Sequence, residues 1–183
     1  MPSRTYVDVF EMAVDQFGFV TTAQAREGGV NPQALLMMER RGAVRRVSHG
    51  VYRLTHFPET ELDSYMEAVL WPRGITAVVS HESALQLYEL SDVNPARVHI
   101  TVPQRYRTNR AAPPHLAVHR QDLDADEMTV HRGLPITTPA RAILDCHLTA
   151  LGAALVKQAI DDAVAKGFLT PARGQALREC TGG

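Results

Sequence analysis

The apolar and polar positions between Gly18 and Leu54 predict two short helices followed by a hairpin. At about 100° per residue, Ala34, Leu35 and Met38 share one side of the second helix. The other side of that helix carries Gln33, Met37, Arg40 and Arg41. Two short alternating runs that follow predict the strands of the hairpin. This order of elements is typical of a winged helix-turn-helix, in which the second helix enters the major groove of DNA.

Residues with capping chemistry mark where these helices begin. Thr21 or Thr22 can cap the first helix, because a hydroxyl oxygen accepts a hydrogen bond from a free N–H of the first turn. Asn31 followed by Pro32 favours the start of the second helix. An amphipathic helix precedes both, and its predicted inward face consists of Tyr6, Phe10, Ala13, Val14 and Phe17. Three helices and a wing therefore predict an N-terminal domain over residues 1–57.

The rest of the chain, residues 58–183, is predicted to form a second domain that mixes helices with short strands. Strands are predicted at Ile75–Val79, at Val98–Val102, around Leu116 and Val118, and near Val130 and Ile136. Helices are predicted from Glu59 to Leu70, after Ser80, from Thr138 to His147, from Gly152 to Lys166, and after Thr170. The expected fold class is α+β, with an N-terminal winged helix-turn-helix followed by a mixed α/β domain.

Positive charge is concentrated in two segments of the chain, while the chain as a whole is nearly neutral. The formal net charge is −1, so binding to DNA must depend on patches of positive charge. Two segments contain five arginines each and no acid, one from Arg40 to Arg53 and one from Val93 to Gln121. The residues expected to contact DNA are Thr22, Gln33, Met37, Arg40, Arg41, Arg45, Arg46, His49, Arg53, Arg105, Arg107 and Arg110. Helical pairs with a hairpin also serve as dimerisation or docking modules, and arginines are often only solvated.

The histidines do not form a recognisable catalytic or metal motif. His81 and Glu82 begin like the helix of a zinc protease, but Leu85 stands where the second histidine is required. His115 and His119 are expected to be polar strand surface. Neither a phosphate-binding loop nor a nucleophile elbow is present in the sequence. We therefore expect a protein that is not an enzyme and that uses no cofactor and no metal.

The remaining chemistry-bearing residues point to structural roles. Cys146 and Cys180 are far apart and form no metal or redox motif, so free thiols are expected. Two pairs stand at i,i+4 spacing: Lys157 with Asp161 is expected to be an ordinary ion pair, and Arg141 with Asp145 either a structural ion pair or a tie between helix and sheet. No apolar run reaches membrane length, and we expect a cytoplasmic protein without a membrane partner.

Four segments together resemble a known family. They are RVSHGVYRL at residues 46–54, SHESAL at 80–85, HITVP at 99–103 and TTPARAILD at 137–145. In this order they resemble the AbiEi-type antitoxins of type IV toxin–antitoxin systems, over nearly the whole chain. The resemblance implies an N-terminal winged helix that represses its own operon and a C-terminal domain that neutralises a nucleotidyltransferase-like toxin encoded beside it. It makes double-stranded operator DNA and that toxin the expected partners.

Three hypotheses follow for function. The first is an antitoxin that binds its operator as a homodimer or as two copies on repeated half-sites, since one short recognition helix reads few base pairs. The alternative is a ligand-responsive winged-helix transcriptional regulator, whose second domain binds a metabolite. A third is a nucleic-acid-processing enzyme that holds its substrate with the arginine-rich middle of the chain. A nucleotidyltransferase-like reading frame next to the gene would favour the first.

Overall fold

Helices and strands follow one another in the N-terminal part of the chain in the order of a winged helix-turn-helix. The computed structural model describes residues 3–182, and the chain divides into two units, residues 1–77 and 78–183. The N-terminal unit contains α1 (Arg4–Val14), β1 (Phe19–Thr21), α2 (Thr22–Glu27), α3 (Pro32–Arg40), β2 (Val44–Ser48), β3 (Val51–Leu54) and α4 (Asp63–Leu70). The predicted α+β fold with an N-terminal winged helix-turn-helix is confirmed.

Both predicted capping signals form. Of the two threonines considered, Thr21 caps α2: its Oγ1 accepts a hydrogen bond from the backbone N–H of Gln24 at 3.1 Å. The Gln24 side chain accepts in return from the Thr21 N–H at 2.9 Å, which completes a capping box. Asn31 Oδ1 accepts from the Gln33 N–H at 2.9 Å, and Pro32 occupies the first turn of α3. These local bonds set the start of each helix.

A three-stranded antiparallel sheet in the order β1-β3-β2 completes the N-terminal unit. Leu35 and Met38 of α3 are buried, as predicted, in one core with Val44, Tyr52 and Leu54 of the sheet. This packing leaves the opposite side of α3 open to solvent.

The predicted inward face of α1 is wrong at two positions. Val9 and Ala13 are fully buried, whereas Phe10 and Val14 are 41% and 42% exposed. Apolar residues lie on more than one side of α1, so the periodicity identifies the helix but does not decide which apolar stripe packs inward.

Arg53 on β3 is the most unusual residue of this unit, because its side chain is only 1% exposed. Its guanidinium donates to the carbonyl oxygens of Phe57 at 3.1 Å and Pro58 at 2.8 Å, and it forms a 2.7 Å ion pair with Asp63 of α4. Its charged end also lies 5.4 Å from the centre of the Phe19 ring. The buried arginine therefore joins α4 to the sheet of the wing.

The division between the units differs from the predicted boundary at Pro58. It falls after Ala77, so that α4 belongs with the winged helix. The backbone N–H of Ala77 donates to the carbonyl of Val69 at 3.0 Å. Pro58 resembles a linker in sequence, but its carbonyl is an acceptor for Arg53.

The C-terminal unit is a mixed sheet with four helices. It contains β4 (Val78–Val79), α5 (His81–Leu87), β5 (Val98–Val102), β6 (Leu116–Arg120), β7 (Met128–His131), β8 (Leu134–Thr137), α6 (Pro139–Leu148), α7 (Ala153–Ala165) and α8 (Pro171–Thr181). The strand order is β6-β5-β4-β8-β7, with parallel pairing of β5 to β6 and of β4 to β8. The strand predicted at Ile75–Val79 is shorter than expected. No helix within residues 3–182 is both long and apolar enough to cross a membrane.

The role of the Arg53–Asp63 pair can be tested by unfolding. Asp63→Ala leaves the buried guanidinium without its ionic partner, and we expect the free energy of unfolding of the N-terminal unit to fall by about 3–5 kcal/mol. The single tryptophan, Trp71, is buried in this unit, so its fluorescence during urea titration reports the loss.

Glu59→Gln is the matched control for this experiment. It removes an acid whose side chain is 76% exposed, which pairs with Arg45 at 3.3 Å and lies 4.0 Å from Arg53, so it compares an exposed with a buried acid around the same arginine and should cost about 1 kcal/mol or less. Equal losses from the two substitutions would contradict a special role for the buried pair.

Candidate nucleic-acid interface

The exposed face of α3 carries the residues predicted to read DNA bases. Gln33, Met37 and Arg40 are all exposed, while Leu35 and Met38 anchor the helix from behind. Arg41 follows as the C-cap residue and is exposed as well. An amide, a thioether and two guanidinium groups thus stand together on one surface, with side chains able to reach base edges and phosphates.

The wing is a short hairpin whose tip lies against the start of α2. The strands β2 and β3 turn at His49 and Gly50, with Ser48 opposite Val51. Gly50 has φ of +79°, which a residue without a side chain adopts at little cost. Its carbonyl accepts a hydrogen bond from the backbone N–H of Thr22 at 2.9 Å. The predicted site residues Thr22 and His49 are therefore brought next to each other.

Neighbouring arginines of the wing point to opposite faces of its sheet. Arg46 pairs across the ladder with Tyr52, which faces the helices, and its Nη2 lies 2.9 Å from Nδ1 of the exposed His49. Arg45 pairs with Arg53 on the other face, and its guanidinium is held by Glu59 at 3.3 Å. Part of the charge of Arg45 is thus already balanced within the protein.

The expectation that Arg53 contacts DNA phosphate has to be corrected. Its side chain lies beneath the sheet, bound to Asp63 and to two backbone carbonyls, and is not accessible to a ligand. The one hint in the sequence is the apolar setting of β3, where Arg53 alternates with Tyr52 and Leu54 on the two faces of a fully buried strand.

A groove that the sequence did not indicate lies beside the wing tip within the N-terminal unit. It has a volume of about 610 Å³ and lies between the start of α2, the tip of the wing and the segment 70–76. Arg26, His49 and Arg73 are among its lining residues. Arg26 and Arg73 are isolated in sequence, so no charge run marked them as neighbours, and Glu27 lines the groove with them.

The middle of the second arginine-rich segment, from Pro103 to His115, forms the connection between β5 and β6 in the C-terminal unit. Arg105 is exposed there. Arg107 is exposed too, but its Nη1 donates to the carbonyls of Gln104 at 2.6 Å and Tyr106 at 2.9 Å. Arg110 is half-buried. The three arginines predicted as one patch therefore differ in how freely they can reach a partner.

Three histidines that the sequence left unconnected come together in the C-terminal unit. His81 begins α5, His99 lies on β5 and His119 on β6. The rings of His81 and His119 stack with centroids 3.6 Å apart, and Nε2 of His119 lies 3.2 Å from Nδ1 of His99. We call His81, His99 and His119 the histidine stack. Pairing of β5 with β6 places His99 and His119 close together, a contact that no sequence spacing could indicate.

Burial keeps the histidine stack neutral. Desolvation lowers the pKa of His81 to about 3 and that of His119 to about 4; His119 and His99 add to the pKa shift of His81, and His99 and Arg97 add to that of His119. Desolvation, followed by the charge of Arg97, also lowers the pKa of His99. Nδ1 of His81 lies 2.9 Å from the hydroxyl of Ser80, which also accepts from Thr101 at 2.8 Å. Within residues 3–182, no group of three or more His, Cys, Asp or Glu side chains could hold a metal ion.

The predicted ion pair between Arg141 and Asp145 is present and has a third member. Nε of Arg141 lies 2.7 Å from Asp145, and its Nη1 lies 2.6 Å from Glu127, just before β7. The pair is thus the predicted tie between helix and sheet. The other predicted pair is wrong, because Asp161 bonds to Arg178 of α8 at 2.6 Å rather than to Lys157.

The histidine stack should make stability depend on pH. Folding lowers these pKa values below about 6.5, so the unfolded chain binds more protons and stability falls as the pH drops below about 6.5. Each extra proton contributes about 1.4 kcal/mol per pH unit. His119→Gln should flatten this dependence between about pH 7.5 and about pH 5, measured by circular dichroism during urea unfolding. The control His115→Gln, outside the stack, should follow the wild type, and equal slopes for all three proteins would contradict the prediction.

Comparison with known proteins finds a matching family profile in each of the two units. The profile of the family described as "Transcriptional regulator, AbiEi antitoxin" matches residues 8–55, and that described as "AbiEi antitoxin C-terminal domain" matches residues 76–167. The structure titled "Crystal structure of RV2827C protein from Mycobacterium tuberculosis" is similar over 97% of this chain and 72% of that chain, with a TM-score of 0.56 and 18% identity. At that identity the likeness concerns the fold alone. No curated protein matches the chain.

The two family profiles agree with the division of the molecule. The first covers most of α1, then β1, α2, α3 and the wing, and ends before α4; the second alone spans half of the chain and begins next to the boundary after Ala77. The resemblance carried by the four sequence segments is therefore confirmed, and the chain belongs to the AbiEi antitoxin family of transcriptional regulators.

Proposed function

We propose that this protein is the antitoxin of a type IV toxin–antitoxin system, that it binds operator DNA to repress its own operon, and that it counteracts a nucleotidyltransferase-like toxin. The observation that carries the DNA-binding part is the exposed face of α3, where Gln33, Met37 and Arg40 project from a helix anchored by buried Leu35 and Met38. The match to a family of transcriptional regulators over residues 8–55 supports it.

Base recognition is assigned to α3. Arg40 has the geometry for a bidentate contact to guanine, Gln33 for one to adenine, and Met37 offers an apolar contact for a thymine methyl group. One helix of nine residues covers few base pairs. The operator should therefore contain two half-sites, each bound by one copy of the protein.

Phosphate contacts are assigned to the wing and to the residues around it. Arg41, Arg46 and His49 are exposed near the reading helix, and Thr22 lies where the wing tip meets α2. Such contacts fix the register of the protein on the duplex without reading sequence. Arg45 contributes less, because Glu59 already balances part of its charge.

The connection between β5 and β6 is proposed as a second phosphate-binding surface. Arg105 is exposed, and the two carbonyls that hold Arg107 fix the position of its guanidinium. A loop that carries positive charge on fixed side chains loses less conformational entropy when it binds.

No step of this function requires catalysis. A repressor and antitoxin acts by binding, and the neutral, stacked histidines of the C-terminal unit are bonded to Ser80 and to each other. We therefore propose that the protein is not an enzyme.

A ligand-responsive regulator remains the second candidate, on one observation. The C-terminal unit has a half-open cleft of about 350 Å³ beside Tyr88, His131 and Phe168. The Tyr88 hydroxyl donates to the Thr137 carbonyl at 3.0 Å, and burial raises its pKa to about 12. Aromatic walls with few polar groups are typical of small-molecule sites. The gene next to this one discriminates, because a nucleotidyltransferase-like reading frame favours the antitoxin.

Two arginines should affect DNA binding in different ways. Arg40→Ala should cost about 1–3 kcal/mol on the upstream DNA of its own operon and relax base preference, because a base contact is lost. Arg46→Ala should weaken binding to every duplex and reduce the slope of log K against log salt by about one. Fluorescence anisotropy with operator and scrambled duplexes over a range of salt concentrations measures both effects.

Arg173→Ala, an exposed arginine on α8, is the control and should bind as the wild type does. Arg45→Ala should have a smaller effect than Arg46→Ala, because Glu59 already balances part of the charge of Arg45. Wild-type affinity in the double variant Arg40→Ala, Arg46→Ala would refute the assignment of this surface.

Replacement of Arg105, Arg107 and Arg110 by serine tests the arginine-rich loop. We expect weaker operator binding without altered sequence preference, since phosphate contacts carry no base information. Rescue of growth from the neighbouring toxin should be retained, and circular dichroism checks that the variant is folded. Unchanged DNA affinity with lost rescue would assign the loop to the toxin, and no change in either assay would contradict both roles.

A further inference from the structure

Strand β7 (Met128–His131) is an unprotected edge of the C-terminal sheet. It is last in the strand order and pairs only with β8 on its inner side. Val130 is 70% exposed and Met128 is 38% exposed. Protein sheets usually guard an exposed edge with lysine, proline, a bulge or a very short strand; β7 has four residues and contains no lysine, proline or bulge. An edge of this kind is suited to pairing with another strand.

The hairpin that joins β7 to β8 determines which backbone groups face outward. Arg132 and Gly133 have φ of +52° and +81°, as in a two-residue turn that closes on a hydrogen-bonded pair. That pair is His131 with Leu134. Hydrogen-bonded and non-bonded pairs alternate along an antiparallel ladder. Pro135, the partner of Val130, has no N–H to donate, which agrees with this alternation.

The backbone groups of Met128 and Val130 consequently point away from β8. A strand that pairs with the open edge must bond to these two residues. In a twofold pairing of β7 with itself, residues that face each other lie on the same side of the sheet, so their numbers must be both even or both odd. A pairing centred on Thr129 meets both conditions. Met128 of each copy then faces Val130 of the other copy, and the free backbone groups of these two residues bond to each other.

This register is complementary in its side chains as well. On one face it places two methionines and two valines in a single apolar strip, with Asp126 of each copy near Arg132 of the other at the ends. On the other face it places Glu127 opposite His131. The carboxyl of Glu127 is held ionised, because a hydrogen bond from the backbone of Asp124, opposed by partial burial and assisted by Arg141, lowers its pKa. Apolar groups meet apolar groups, Asp126 meets Arg132, and the Glu127 carboxylate meets an imidazole.

We propose that β7 is a self-association surface, through which two copies of this chain join their five-stranded sheets into one mixed sheet of ten strands, with an antiparallel β7–β7 pair at its centre. The occupant is a second copy because the strand is complementary to itself in backbone, apolar strip and charge. The proposal extends the proposed function by naming the surface through which the copies on two half-sites meet. Its test contains no DNA, so its failure and that of the DNA-binding assignment are separable.

Sedimentation velocity of the full chain over a range of concentrations tests the surface. The wild type should show a concentration-dependent dimer, and Val130→Lys should abolish it by placing a charge in the apolar strip. Leu148→Lys is the matched control, because Leu148 is 74% exposed at the end of α6, outside the surface. A wild type that stays monomeric, or a dimer that survives Val130→Lys, would overturn the proposal.

Disulfide trapping tests the register. In a Cys180→Ser background, which removes the exposed native thiol, Thr129→Cys places two thiols at the twofold axis. The Cα atoms of a non-bonded pair are about 4.5 Å apart, within the range of a disulfide. Val130→Cys places its two Cα atoms about 8 Å apart, beyond that range. Oxidised dimer from Thr129→Cys alone supports the register, and dimer from Val130→Cys alone, or from neither, refutes it.

Discussion

The winged helix depends on a positive charge buried beneath it. Arg53 lies on the central strand of the wing sheet, and its guanidinium is surrounded by Asp63, two backbone carbonyls and the Phe19 ring. A buried charge is costly unless its donors find partners, so the positions of the partners of the two Nη groups are constrained together, while Nε of Arg53 has no hydrogen bond. The chain after β3 must turn so that Phe57 and Pro58 present their carbonyls, and α4 must begin where Asp63 can reach. One cation therefore fixes the path of some ten residues and supports the hairpin of the wing.

Local chemistry explains which parts of this architecture could be predicted from the sequence. The Thr21 capping box and the Asn31–Pro32 start of α3 act over three or four residues, and the two faces of α3 follow from helical geometry alone. Side-chain type says less about the arginines. Arg45, Arg46 and Arg53 have the same chemistry within one hairpin, yet one is tied to Glu59, one adjoins His49 and one is buried. These arginines differ in the face of the strand that they occupy and in the acid that lies near them. The order of charged residues along the chain predicts neither.

Long-range contacts explain what could not be predicted. The histidine stack draws on three elements whose residues are up to 38 positions apart, and they meet only because β6 pairs with β5 and α5 packs beside them. The same holds for the open edge at β7, since the alternating pattern predicts a strand but not its place at the end of a sheet. The third member of the Arg141 tie, Glu127, also comes from a different element. Sequence periodicity identified these strands and helices, and the topology decided which of their side chains became neighbours.

The shortness of the wing has a consequence for the kinetics of DNA binding. Its two strands turn at His49 and Gly50 without a longer tip, and the reading helix is nine residues long. In the proposed complex, a surface with so little reach would touch one side of a duplex without enclosing it, so release would need no opening of the protein. Affinity differences on such a surface are expressed mainly in the rate of dissociation. Occupancy of a single half-site would then follow the free concentration of the protein closely, and a promoter controlled in this way would respond promptly when that concentration falls.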